Sequence, residues 1–96
     1  MWILRGAEDQ GGVVFRLPSG SSKTVGRAAR VDFVLDAALV SRVHCRITAG
    51  DETLEVEDLA STNGTFVNDR RIVKGRAAAG DRLRIGRAEL TVEQEF

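Results

Sequence analysis

The sequence predicts an all-β fold, a sandwich of two antiparallel sheets. Three observations point there. Short apolar runs alternate with polar residues. Gly, Asp, Asn and Ser interrupt those runs every few residues. No segment sustains a helical period, and Ala77-Ala78-Ala79 is too short to hold a helix without tertiary support. Strands that are apolar on one face bury that face by packing in two layers.

The elements follow in order. Trp2–Arg5 opens the chain as a strand, with Trp2 expected in the core. Val13–Leu17 and Lys23–Gly26 come next, separated by Pro18-Ser19-Gly20-Ser21-Ser22, whose composition suits an exposed loop. Phe33–Leu35 is short. Val43–Thr48 alternates, with Val43, Cys45 and Ile47 on one face and His44, Arg46 and Thr48 on the other. Ala49-Gly50-Asp51-Glu52 turns the chain, through the unusual backbone angles open to glycine and aspartate, into Thr53–Asp58, where Leu54 and Val56 repeat the pattern. Thr65–Val67 follows. Arg70, Arg71, Lys74 and Arg76 form a local basic cluster, expected as a solvated loop. Gly80-Asp81 turns into Arg82–Ile85, and Gly86-Arg87-Ala88 links that strand to Glu89–Glu93 as a hairpin.

The 96 residues suit one domain, spanning 1–96 with a core from about residue 2 to 93, and are also consistent with a piece of a longer protein. Lys+Arg and Asp+Glu both number 14, so the net charge is zero. A general nucleic-acid binder carries a basic excess, which argues against that partner. Charge-dependent function must therefore come from local clustering. One cysteine, Cys45, and one histidine, His44, cannot build a structural zinc site, so no metal or other cofactor is expected. The lone thiol, the lack of a ~20-residue apolar run and an N-terminus without signal-peptide character lead to the expectation of an intracellular protein with no membrane contact.

The residues with chemistry to offer gather at strand ends. Val25-Gly26-Arg27 is one group, Ser41-Arg42-Val43-His44 a second, and Asp58 to Asn68 a third. Loops of a sandwich collect at its two ends, so segments distant in sequence can meet. Arg27 would bring a planar fork of donors that suits a phosphate. Ser41 and Thr62 would each bring a hydroxyl, and Arg42 a second positive charge. Asn63 has a donor and an acceptor for an extended peptide backbone. Singly these are ordinary surface and turn residues. Together they would make a small anion pocket beside a peptide-docking edge.

Gly26-Arg27, then Ser41-x-x-His44, then Ser61-Thr62-Asn63-Gly64-Thr65-Phe66-Val67-Asn68 resembles, in order and spacing, the signature of the forkhead-associated (FHA) domain. Gly80-Asp81-Arg82-Leu83-Arg84-Ile85-Gly86 resembles that family's penultimate strand region. The resemblance runs from about Trp2 to Val92. It implies a sandwich of about eleven strands with its ligand loops at one end. It also implies a phosphothreonine-dependent protein–protein interaction module, an adaptor in kinase signalling and not an enzyme. Its partner would be a phosphothreonine-containing protein or peptide, and a monomer is the favoured state. Residue by residue, the resemblance implies that Arg27 and Ser41 contact the phosphate and that Arg42 faces it. Thr62 would line the pocket beside the phosphothreonine, and Asn63 would hold the peptide main chain. Gly26, His44, Gly64 and Asn68 would support the site, His44 by bracing the binding loop and the last two by shaping turns. Leu39, where a charged residue would otherwise stand, implies an apolar preference downstream of the phosphothreonine.

Other readings compete. Ser41, His44 and Asp58 contain the groups of a hydrolytic triad, but no nucleophile elbow accompanies Ser41, and a small sandwich offers little concave space. A phosphate-independent interaction or dimerisation domain would use an exposed strand edge and keep its partner after phosphatase treatment. The Arg70–Arg76 cluster could also favour acidic residues flanking the phosphosite, or bind nucleic acid with a steep dependence on salt. Asn63-Gly64 also reads as a plain hairpin turn, and Cys45 as a packing residue.

Overall fold

Eleven strands lie among the described residues, 1–7 and 12–96, of a computed structural model of the chain. They are β1 (Trp2–Gly6), β2 (Val14–Leu17), β3 (Ser22–Gly26), β4 (Phe33–Val34), β5 (Cys45–Ala49), β6 (Leu54–Asp58), β7 (Thr65–Val67), β8 (Arg70–Ile72), β9 (Lys74–Ala77), β10 (Arg82–Ile85) and β11 (Ala88–Gln94). One sheet runs β2-β1-β11-β10-β7-β8, and the other β4-β3-β5-β6-β9. Pairing is antiparallel except that β4 lies parallel to β3. Among the described residues no helix is long and apolar enough to cross a membrane.

Alternation explains how the sheets hold together. Trp2, Leu4, Leu83, Ile85, Leu90 and Val92 point inward from the six-stranded sheet and are fully buried. Val25, Ile47, Leu54 and Val56 meet them from the other sheet. Each such side chain contributes about 1.5–3 kcal/mol. Exposed ion pairs such as Arg46–Glu57 and Lys74–Glu55 on the outer face contribute about 0–1 kcal/mol each, so the core decides stability. Phe15 on β2 stacks on Phe33 on β4 with ring centroids 4.6 Å apart, closing the sandwich along one side. Trp2 is buried, and its indole N–H donates to the Gly50 carbonyl at 2.8 Å.

Four expectations change. The basic stretch is not a loop: it carries β8 and β9, one at the edge of each sheet. Edge strands are short and place charges outward, which hides their period in the sequence. Gly50 and Asp51 do not adopt positive φ. Gly50 is required because a Cβ there would lie 2.7 Å from the Thr53 carbonyl oxygen. Asn63-Gly64 is not a hairpin turn, since it joins β6 to β7 across the two sheets. The tight hairpin is instead at Asn68-Asp69, between β7 and β8. Both residues have positive φ, 48° and 67°, as a type I′ turn demands. Finally, β5 begins at Cys45, so Val43 and His44 belong to the preceding loop.

Candidate functional site

The strand order brings four connections to one end of the sandwich: residues 27–32, 35–44, 59–64 and 86–87. Backbone bonds lock them together. The Arg27 and Ala28 amides donate to the Ser41 and Arg42 carbonyls, each at 3.0 Å. The Leu59 amide donates to the His44 carbonyl at 2.9 Å, and the Arg87 amide to the Ala38 carbonyl at 3.0 Å. Two glycines allow the approach. A Cβ on Gly26 would stand 2.2 Å from the Arg42 carbonyl oxygen. One on Gly86, where φ is +60°, would stand 2.6 Å from the Leu39 carbonyl.

Arg27 is exposed, and its Nε donates to the Val40 carbonyl at 2.6 Å. That bond fixes the stem, and among the described residues the two terminal nitrogens make no hydrogen bond or ion pair. Ser41 lies beside it. Its hydroxyl oxygen accepts the Thr62 amide at 3.1 Å, so its own proton is free to donate. Arg42 and Thr62 are exposed, and their side chains form no hydrogen bond or ion pair among the described residues. Asn63 donates through Nδ2 to the Leu39 carbonyl at 3.2 Å, keeping its Oδ1 open. Leu39 is exposed and holds a φ of 66°, an uncommon angle for a branched side chain. Arg27, Ser41, Thr62 and Asn63, far apart in sequence, are thus joined through one loop cluster. Arg30, Arg42 and Arg87 add positive charge there. Of the two carboxylates in these loops, Asp32 is tied to Thr24 and Asp36 is exposed.

His44 lies beneath this surface, fully buried. Its Nδ1 accepts the Ser41 amide at 2.9 Å, so its Nε2 carries the proton and donates to the Gly64 carbonyl at 2.8 Å. The ring therefore ties the 35–44 loop to the 59–64 loop. Alternation placed His44 with Arg46 and Thr48, on the face opposite Cys45 and Ile47. It is buried because the 59–64 loop folds over it. Gly64 needs its glycine twice, for a φ of +90° and because a Cβ would press on Arg71 and Phe66. Asn68 sits at the opposite end of β7 from these loops, where it accepts the Arg82 amide at 2.9 Å. The triad is not assembled: the His44 ring bonds the Ser41 amide and not its hydroxyl, and Asp58 bonds elsewhere.

Asp58 organises the 59–64 loop, a role the sequence hinted at only through its Asp-x-x-Ser spacing. It accepts the Ser61 hydroxyl at 2.5 Å, the Ser61 amide at 3.1 Å and the Thr65 hydroxyl at 2.7 Å. Burial works against its charge, but the bonds from Ser61 and Thr65 outweigh it and hold the carboxyl below its ordinary 3.8. A folded value below the unfolded one means stability that is present above the ordinary value and lost as pH falls through the folded value. Asp58→Asn should abolish that component. Thermal melts in an acid series should then show a shallower loss below pH ~4 for the variant than for wild type, and parallel curves would contradict the assignment. Burial, with Asp58 nearby, pushes the Cys45 thiol up to about 12, so it stays protonated and packs as an apolar group.

A family model described as the FHA domain matches residues 23–86, which contain every one of these loops except Arg87. The chain belongs to the FHA domain family. That domain is a binding module and not a catalytic fold. The chain is 35% identical over 85 residues to the FHA domain-containing protein FhaA of Mycobacterium tuberculosis, covering 88% of this chain and 16% of FhaA. The solved FHA domain of CT664 from Chlamydia trachomatis superposes with a TM-score of 0.90 at 28% identity, covering 99% of this chain and 98% of that one. Another solved chain, from a structural and functional analysis of phosphothreonine-dependent FHA domain interactions, gives 0.86 at 33% identity, covering 99% and 97%. This FHA domain thus spans about a sixth of its FhaA relative's length.

Proposed function

We propose that this FHA domain recognises phosphothreonine in a partner protein and serves as a phosphorylation-controlled adaptor. The observation that carries the reading is the pairing of Arg27 with Ser41. The terminal guanidinium nitrogens are uncommitted, and the hydroxyl has given up only its acceptor side. Both sit on loops clamped by backbone bonds, so little ordering is needed on binding. Arg27 and Ser41 hold the phosphate, and Arg42 adds charge. Thr62 lines the pocket, and Asn63 offers its open Oδ1 to a peptide amide. Leu39 supplies an apolar surface for a downstream residue. The 96 residues act as one such module, with no catalytic step assigned to them. The reading includes an intracellular setting, where the lone thiol stays reduced and a kinase writes the mark.

An unphosphorylated threonine forfeits two charge-assisted hydrogen bonds of about 1.5–3 kcal/mol each. A degenerate threonine-centred peptide library should therefore bind at least about a hundredfold more tightly when phosphorylated. Equal titration curves for the phosphorylated and plain libraries would refute the reading.

A further inference from the structure

One basic cluster plays no part in that pocket. On the outer face of the six-stranded sheet, Phe66 of β7 lies opposite Arg71 of β8 and, on its other side, opposite Arg84 of β10. The Arg84 guanidinium carbon sits 4.0 Å from the Phe66 ring centroid. Arg71 reaches toward the loops: a Cβ on Gly64 would lie 2.8 Å from its Nε and 3.0 Å from its Cζ. Gly64 directly follows Asn63, so this arginine abuts the segment assigned to the peptide main chain. The salt bridges of the described residues use Arg5, Arg46, Lys74 and Arg82, and none uses Arg71 or Arg84. Glu89 faces Arg84 across the β10–β11 pair and has an interaction of its own.

Arg84 lies over the Phe66 ring and Arg71 stands opposite Phe66 on the neighbouring strand, so two like charges on this face favour a further anion beside them. Aromatic stacking holds such a group flat and leaves its N–H edges open. Those edges match the oxygens of a phosphate or carboxylate. We propose that Arg84, stacked on Phe66, and Arg71, beside it on β8, form a second anion site that takes an acidic or phosphorylated side chain of the same peptide that carries the phosphothreonine. The inference rests on the phosphothreonine reading and extends it to the flanking sequence.

The test uses the whole chain and phosphothreonine peptides with alanine at every other position. One added phosphoserine, or one added aspartate, is walked along both sides of the phosphothreonine. At one or more positions the added anion should tighten binding about fivefold to tenfold. Arg71→Gln and Arg84→Gln should each remove most of that gain and leave the singly phosphorylated peptide unchanged. Arg76→Gln, on the other sheet, should keep it. A gain from phosphoserine alone assigns the site to phosphate, and a gain from both assigns it to anions generally. If the singly phosphorylated peptide binds but no position gains, or the gain survives both substitutions in proteins that melt like wild type, this second site is overturned and the pocket stands. If the singly phosphorylated peptide does not bind at all, both readings fall.

Discussion

Replacing Arg27 with alanine is expected to weaken binding of a phosphothreonine peptide by at least about tenfold, and by more than a hundredfold if both terminal nitrogens engage the phosphate. The size follows from charge and geometry together. A guanidinium fork makes two parallel bonds to one phosphate, which a lysine ammonium cannot reproduce. Arg27→Lys should therefore recover only part of the loss, because it also gives up the Nε bond that fixes the stem to the Val40 carbonyl at 2.6 Å. The fold itself should be little affected. One side-chain-to-backbone bond at an exposed residue is worth about 1 kcal/mol, or a few degrees in melting temperature. Calorimetric titration with a matched peptide pair, beside a thermal melt, separates the two effects. A variant that melts normally and binds as wild type does would remove Arg27 from the pocket.

The second large effect is expected at Gly26, where the fold and the site share one contact. Alanine there places a Cβ 2.2 Å from the Arg42 carbonyl oxygen, 2.8 Å from its carbon and 3.0 Å from the Ser41 carbonyl oxygen. Every one of these is a backbone atom, so no flexible side chain can swing aside. The same two carbonyls accept the Arg27 and Ala28 amides. Pushing the loops apart thus adds overpacking of about 1–3 kcal/mol to two weakened bonds of about 1 kcal/mol each. A loss near 3 kcal/mol corresponds to a fall of more than about 10 °C in melting temperature for a domain of this size. Affinity should drop as well, because Ser41 moves with its carbonyl. Gly26→Ala protein that melts within a degree or two of wild type would show that these loops are not clamped as described.

How much of this was legible in the sequence differs by element. The core strands announced themselves because their buried positions repeat every second residue, as Leu54 and Val56 or Leu83 and Ile85 do. β8 and β9 did not, because each is an edge strand whose outward positions are charged. The recognition motifs were legible as residues, and the resemblance they carry named the family. Their convergence was not, since it depends on β3, β5 and β6 sharing one sheet while β7 and β10 lie in the other. Such pairing is non-local, and no window of sequence contains it. His44 shows the same gap. Local alternation put it only on the face opposite Cys45 and Ile47, and a loop some twenty residues away buries it. Arg71 belonged to a cluster read as solvent-facing. Only the Asn68-Asp69 turn, by setting the register of β8, puts it opposite Phe66 and against Gly64.

On the proposed reading, separate loops at one end form a single phosphate-binding surface. Amide chemical-shift mapping tests it most directly, with a phosphothreonine peptide titrated into labelled protein and its unphosphorylated twin as control. The largest shifts should fall together in residues 26–28, 39–44 and 61–64, and only with the phosphorylated peptide. Shifts centred instead on the Gly50 turn or the Asn68-Asp69 turn, or the same shifts from the plain peptide, would contradict it.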